Sequence, residues 1–138
     1  MILPILTVRD VDASVDYYVS KLGFTKDMVM AGPDGKNTFG FVRLGKAIIG
    51  LDAMTPGAAK GAPGADFMVY VPDETDLDQH YAEVKSRGTV IETPIETKYW
   101  GDRVYTVLDP DGYRITITKT VKQRSPEEVA ALSGNKLS

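Results

Sequence analysis

The most constraining feature of this sequence is that its two halves show the same order of predicted elements. In each half a short apolar run is followed by a helix-like stretch and three strand-like runs, and matching positions lie about 65 residues apart. Both helix-like stretches end at a glycine, Gly23 or Gly88, which suits a left-handed C-terminal cap. Tight turns at residues 44–46 and 109–112 join the last two strands of each half. The sequence therefore predicts two βαβββ units.

The predicted units divide the chain into a main domain, 1–122, and a tail, 123–138. Module one covers residues 1–56, a linker rich in Gly, Ala and Pro covers 57–65, and module two covers 66–122. The predicted strands span residues 3–8, 24–30, 39–44 and 47–51 in module one, and 67–71, 89–92, 104–108 and 113–119 in module two. In the tail, Ser125 and Glu128 form a capping box that predicts a short helix.

Composition excludes several classes of function. The 138 residues carry a net charge of −3 and no run of basic residues, so we predict no nucleic-acid partner. No apolar segment is long enough to cross a membrane and no signal peptide is recognisable, so we predict a cytoplasmic protein with no membrane partner. Without cysteine there is neither a disulfide nor a thiolate nucleophile. The one histidine, His80, is expected at the flank of the second helix.

Several short motifs resemble the glyoxalase/bleomycin-resistance/dioxygenase family, also called the vicinal oxygen chelate superfamily. They are Leu6-Thr7-Val8-Arg9-Asp10, Tyr17-Tyr18, Leu22-Gly23-Phe24, Trp100-Gly101-Asp102-Arg103 and Asp109-Pro110-Asp111-Gly112-Tyr113. The resemblance covers residues 1 to 120 and implies an α+β fold in which the two modules form an open, barrel-like mixed sheet. Many members are dimers, so it also implies a homodimer.

The resemblance also shows where a catalytic metal would bind. Metalloenzymes of the family use His or Glu at the start of the first strand and the end of the last strand of each module. The matching positions here are Leu3, Gly50, Asp66 and Thr116. One carboxylate and one hydroxyl do not replace three or four strong ligands. We therefore predict no metal and no cofactor.

Strand alternation separates two faces of the predicted sheet. One face is almost entirely apolar and is expected under the helices. The other is mixed and suits a concave ligand site, although a dimer interface or a partly wet interior would fit the same pattern. Candidate ligand-binding residues, on this face or in nearby aromatic positions, are Asp66, Tyr70, Arg114, Thr116, Trp100, Phe39, Phe41 and Tyr105. Two roles stay open for Asp66, a buried group paired with Arg114 and a rim position in water, and the aromatic residues also suit ordinary packing.

Four functional hypotheses are compatible with these residues. The leading one is a metal-free protein that binds a small molecule without chemistry, resembling the members that sequester bleomycin-type antibiotics. The second is a metal-dependent lyase, isomerase or dioxygenase of the same superfamily. In the third, a metal-free enzyme uses Asp66 as a general base, its one candidate catalytic residue. The fourth is a protein that acts only through contacts with other proteins.

Overall fold

A computed structural model of the protein describes residues 1–54 and 61–137. Each half of the chain forms one four-stranded sheet. The strands are β1 (Ile5–Thr7), β2 (Thr25–Ala31), β3 (Asn37–Leu44) and β4 (Ala47–Asp52) in the first half, and β5 (Phe67–Tyr70), β6 (Ile91–Thr97), β7 (Asp102–Leu108) and β8 (Arg114–Thr120) in the second. The helices are α1 (Val11–Asp16), which continues as a π-helical turn (Tyr17–Lys21), α2 (Leu77–Ser86) and α3 (Pro126–Ser133).

The sheet topology confirms the predicted α+β fold of two βαβββ units. The strand order is β1-β4-β3-β2 in the first sheet and β5-β8-β7-β6 in the second. In each sheet the first strand runs parallel to the last, and the remaining neighbours are antiparallel. The two sheets are not closed into a barrel. Part of the predicted linker, residues 57–60, lies outside the described residues, and the predicted domain boundaries stay a prediction.

Two strands differ clearly from their predicted lengths: β1 spans only Ile5–Thr7, and β6 is longer than predicted. The sequence predicts a strand over residues 89–92, and β6 extends to Thr97 through Pro94. This strand is at the edge of its sheet, so its outer side has no partner strand. A proline, which lacks an N–H group, is tolerated there because no backbone hydrogen bond is lost on that side. Its pairing with β7 also shifts register between Thr93 and Glu96, so the strand bulges around the proline.

Local sequence signals explain where α1 and α2 begin and end. The side chain of Asp10 accepts a hydrogen bond from the N–H of Ala13 at 3.0 Å, and Asp76 does the same for Gln79 at 3.1 Å. After each helix the chain turns at a glycine with φ of +78°, Gly23 or Gly88, as the sequence predicted.

A single hydrophobic core joins both halves. It combines residues of α1 and α2 with one side of both sheets, including Leu6, Tyr18, Leu51, Tyr105 and Ile117, all at most 3% exposed. The alternating residues predicted to face the helices are buried, with the exception of the half-buried Phe67. Burial of this apolar surface is the main stabilising contribution to the fold.

Asp109 connects the two halves through hydrogen bonds. It lies in the turn between β7 and β8 and is only 5% exposed. One carboxylate oxygen accepts the N–H groups of Asp111 and Tyr113, each at 2.9 Å. The other accepts the hydroxyl of Tyr18, in the first half of the chain, at 2.8 Å. A buried carboxylate is costly without such donors, so the turn and the first helical segment depend on each other.

Further hydrogen bonds join the same turn to the first half. Asp111 accepts the backbone N–H and the side-chain Nε–H of Arg9, at 3.2 and 2.9 Å. The hydroxyl of Tyr113 donates to the carbonyl of Thr7 at 2.7 Å. The hydroxyl of Tyr17 donates to the carbonyl of Leu108 at 3.1 Å, and burial raises the pKa of this phenol. The turn therefore joins β1 and the α1 segment to β8.

The C-terminal tail contains the predicted helix. The hydroxyl of Ser125 accepts the N–H of Glu128 at 3.1 Å and the Glu128 side chain accepts the N–H of Ser125, which completes the capping box of α3. The helix ends at Gly134, as predicted. Within residues 1–54 and 61–137, no helix is long and apolar enough to cross a membrane.

Titration of Asp109 should make stability depend on pH. Burial raises the pKa of Asp109, and its hydrogen bonds with Tyr113, Tyr18 and Asp111 offset part of this effect. A carboxyl group with a raised folded-state pKa stabilises the fold fully below its unfolded value of 3.8, and loses this contribution as the pH rises through the folded-state value. Asp109→Asn removes the titration. We expect the free energy of unfolding of the wild type minus that of Asp109→Asn to fall as pH rises from below 3.8 to neutrality.

Urea unfolding at a series of pH values measures this difference. Asp73→Asn, which changes an exposed carboxyl group, is the control for a general change in net charge. A difference between wild type and Asp109→Asn that does not vary with pH would contradict the prediction.

Candidate functional site

The strand residues that point away from the helices form a second surface, called here the open face. It is defined by Ile5, Phe39 and Phe41 in the first sheet and by Met68, Tyr70 and Thr116 in the second. Ile5 on β1 and Met68 and Tyr70 on β5 are 45%, 42% and 49% exposed. Large side chains in such positions commonly mark a binding surface. The structure therefore places most of the predicted ligand-binding residues on the side of their own sheet that faces away from the helices.

The first half of the open face is aromatic. Phe39 and Phe41 meet edge to face, with 4.9 Å between ring centroids. Both lie against Gly50, where an added Cβ would be 3.4 Å from Phe39 Cζ and 3.3 Å from Phe41 Cε1 and would overlap Ile5 Cδ1. Gly50 thus gives these apolar side chains room to cover the strand. This position, which matches a metal-ligand position of the resembled family, is occupied by hydrocarbon.

In the second half, a chain of hydroxyl groups leads to Asp66. The hydroxyl of Thr116 donates to Asp66 Oδ1 at 2.6 Å. Because that proton is used, the hydroxyl of Thr106, 2.8 Å away, donates to Thr116. Thr106 and Thr116 are both buried, whereas Asp66 is exposed, which agrees with the rim position in water rather than with a buried group. The chain fixes one oxygen of Asp66, and Oδ2 accepts no hydrogen bond from the described residues.

Arg114 does not provide the partner for Asp66 that the sequence suggested. It forms an ion pair with Glu92 on β6, the edge strand of the same sheet, with 2.8 Å between Arg114 Nε and Glu92 Oε1. The Nε–H of Arg114 does not point at this oxygen, so the two groups are not hydrogen-bonded there. Thr116, two residues further along β8, contacts Asp66 instead. Of the two roles left open for Asp66, the pair with Arg114 is not formed: the β5–β8 register places residues 66 and 114 opposite each other, but the Arg114 side chain turns to Glu92.

Asp102 is a residue of this site that sequence reasoning missed. It begins β7 and is 6% exposed. Its Oδ2 accepts the hydroxyl of Tyr70 and the indole N–H of Trp100, both at 3.0 Å, and its Oδ1 accepts the hydroxyl of Thr120 at 2.8 Å. Burial and the bond to Asp102 raise the pKa of Tyr70. Asp102 shares its strand parity with Val104 and Thr106, which is the signal that would have placed it on the open face.

Tyr105, by contrast, lies on the opposite side of the sheet. It pairs with Ile117 in the strand register and is fully buried in the core, which raises its pKa. Its hydroxyl contacts His80 Nδ1, while His80 Nε2 donates to the carbonyl of Leu22 at 2.8 Å. Both ring nitrogens of the half-buried His80 are therefore used in packing α2 against the first module. Tyr105 is not part of the candidate site, because its ring is buried in the core and its hydroxyl contacts His80.

The metal that the resembled family implies does not fit these residues. Leu3 has no donor, Gly50 is covered by hydrocarbon, and the Thr116 hydroxyl is committed to Asp66. A divalent ion needs several converging lone pairs, and Asp66 alone supplies them here. Among the residues that the structure describes, no three His, Cys, Asp or Glu side chains are arranged to hold a metal ion.

Solved structures with similar folds come from several bacteria. TioX from Micromonospora sp. ML1 is 24% identical, with a TM-score of 0.69, and the match covers 91% of this chain and 99% of that one. The bleomycin-binding protein from bleomycin-producing Streptomyces verticillus, solved with copper(II)-bleomycin, is 27% identical, with a TM-score of 0.61 and coverage of 86% and 93%. The first likeness shows a shared fold.

Sequence comparison gives the same relationship. An uncharacterized protein of Mycobacterium bovis is 26% identical, in a match that covers 93% of this chain and 88% of that protein. A family model of the Glyoxalase/Bleomycin resistance protein/Dioxygenase superfamily matches residues 2–117, which is most of the chain. The motifs that carried the resemblance lie inside this range. The chain therefore belongs to the glyoxalase/bleomycin resistance protein/dioxygenase superfamily.

Proposed function

We propose that this protein binds a small molecule on the open face and sequesters it without a metal, a cofactor or a chemical step. The observation that carries the proposal is the combination of half-exposed aromatic rings with the absence of a metal donor set among the described residues. Tyr70 and Trp100 are held beside each other by Asp102, and Phe39 and Phe41 meet edge to face on the first sheet. Aromatic rings provide large apolar area and stack on planar or cationic groups.

The relationship to the Streptomyces verticillus protein supports a ligand of the bleomycin type. That protein is similar to this chain over most of its length and was solved with copper(II)-bleomycin. Sequestration would keep such a ligand from its target, so the proposed biological role is antibiotic resistance in the cytoplasm. Ligand contacts would include Asp66, Tyr70, Trp100 and Thr116, while Arg114 is neutralised by Glu92 at the edge of the site.

A ligand titration tests the binding role. Trp100 is the only tryptophan, so its emission reports binding beside Tyr70. We expect bleomycin, with and without copper(II), to change this emission and to raise the unfolding temperature, since a ligand at 100 times its Kd adds about 2.7 kcal/mol to stability. Tyr70→Ala should weaken binding by about tenfold, equivalent to about 1.4 kcal/mol.

Val19→Ala is the control, because Val19 is an exposed apolar residue on the helix side. Equal binding by the wild type and Tyr70→Ala would show that the open face is not the site. If a panel of bleomycin-type compounds caused neither an emission change nor a thermal shift, sequestration would be wrong.

A metal-free enzyme is the second candidate, and the hydroxyl chain ending at Asp66 favours it. The chain orients one oxygen of the carboxylate, and Oδ2 accepts no hydrogen bond from the described residues, so it is available to accept a proton as a general base would.

Asp66→Asn separates the two functions. Sequestration predicts that a bound compound is recovered unchanged from the wild type, and that Asp66→Asn weakens binding by about tenfold through loss of a charged acceptor. Mass spectrometry of the compound and calorimetry of its binding measure the two quantities. Conversion by the wild type that disappears in Asp66→Asn, with binding retained, would establish the enzyme instead. Thr25→Val, an exposed change on β2, is the control.

We further propose that the protein is a homodimer in which the open face is covered by the second copy. Met28 and Met30 of β2 pair in register with Phe41 and Phe39 and so extend the open face, and with Met68 they are between 38% and 49% exposed. Exposed apolar area of this kind on a small protein favours association with another protein. A second copy placed over the open face would turn it into an enclosed binding site.

Light scattering after gel filtration tests this assembly. We expect a mass of about 30 kDa, twice the 15.1 kDa of one chain. Met68→Lys should raise the dissociation constant of the dimer at least about tenfold, because it places a charge in an apolar contact. Val90→Lys changes an exposed residue that is not on the open face and should leave the mass unchanged. A wild-type mass of one chain would contradict the proposal.

A further inference from the structure

Asp102 is a buried negative charge without a positive partner. Its carboxylate is 6% exposed and accepts three hydrogen bonds, all from the neutral groups of Tyr70, Trp100 and Thr120. The neighbouring Arg103 points to the other face and pairs with Asp78 at 2.6 Å. Within residues 1–54 and 61–137, no Lys or Arg forms an ion pair with Asp102. Its charge is therefore balanced only by dipoles.

The three hydrogen bonds determine how two aromatic rings meet a ligand. The hydroxyl of Tyr70 and the indole N–H of Trp100 both point at Asp102, so neither donor is free for a ligand. Tyr70 nevertheless leaves 49% of its surface exposed. These rings can therefore contact a ligand through their carbon surface. The face of an aromatic ring is electron-rich, and a carboxylate close behind it makes the local potential more negative.

The other charged groups on this side of the second sheet do not reverse that potential. Lys98, whose amine lies 5.8 Å from the centre of the Trp100 ring, forms an ion pair with Glu96. Arg114 is paired with Glu92. Asp66 accepts a neutral hydroxyl and keeps its charge uncompensated by any described cation. The basic groups here are thus neutralised in pairs, while two carboxylates are not.

We propose that Asp102 is the specificity-determining residue of the open face: it holds Tyr70 and Trp100 with their polar ends turned inward and gives their rings a preference for planar organic cations. This inference rests on the proposed function, because it assumes that a ligand binds there. It adds the charge class of the ligand and the residue that selects it.

Asp102→Asn tests the charge with little change in geometry. An asparagine can accept the Tyr70 and Trp100 donors with its carbonyl oxygen and donate its amide to the Thr120 hydroxyl, so every hydrogen bond has a replacement. The substitution removes only the charge. The matched control is Asp16→Asn, which removes the same charge from an exposed position on α1, on the helix side of the first sheet.

Three planar tricyclic probes differ mainly in charge at neutral pH: proflavine is a cation, acridone is neutral and anthracene-9-carboxylate is an anion. Calorimetric titrations at about 0.01 M salt, where the Debye length is about 30 Å, measure their affinities. We expect the wild type to bind proflavine about tenfold more tightly than acridone, and the anion most weakly. Asp102→Asn should reduce the proflavine-to-acridone ratio about fivefold, and Asp16→Asn should leave it unchanged.

Each result decides between distinct outcomes. If Asp102→Asn keeps the wild-type ratio, Asp102 does not set the preference. If the wild type binds proflavine and acridone equally, the cation preference is wrong although the binding function stands. If the wild type binds neither these probes nor bleomycin, the proposed function itself fails.

Discussion

Two buried carboxylates in one turn hold the halves of this protein together. Asp109 binds the hydroxyl of Tyr18 and two backbone N–H groups of its own turn, and Asp111 binds Arg9. Since a carboxylate out of water is stable only with such donors, the turn fixes β8 against the first helical segment. The open face depends on these hydrogen bonds, because they position β8, which carries Thr116 and pairs with β5. The Asp-Pro-Asp-Gly motif is therefore both a turn signal and an inter-module contact.

The alternation of side chains along each strand then separates core from site. In β7, Asp102, Val104 and Thr106 point to the open face, whereas Tyr105 between them is buried against α2. A shift of one position along a strand therefore decides whether an aromatic side chain points into the core or towards the open face. Tyr105 was predicted to bind a ligand because it is aromatic. It pairs with Ile117 in the strand register, and Ile117 lies in the core, so Tyr105 points to the core side of the sheet and not to the candidate site.

Superfamily membership and site chemistry answer different questions about this chain. The family match covers residues 2–117 and establishes the fold, which supports many kinds of chemistry. The site residues narrow the possibilities further, because a glycine covered by Ile5, Phe39 and Phe41 replaces one ligand position and a committed hydroxyl replaces another. The remaining polar groups, Asp66 and Asp102, are hydrogen-bonded carboxylates, which favour recognition of a ligand by shape and charge.

The sequence by itself determined the repeated βαβββ order, the helix caps, the turn motifs and the apolar face of each strand. These features depend on residues within one turn of helix or on a two-residue alternation, so local rules reach them. It also placed Asp66 and Thr116 at matching positions. Only the tertiary structure decided which side chains meet across larger separations: Thr116 rather than Arg114 on Asp66, and Tyr70 with Trp100 on Asp102. Such contacts depend on the packing of β5, β7 and β8, whose residues are distant along the chain and become neighbours only when the sheet forms.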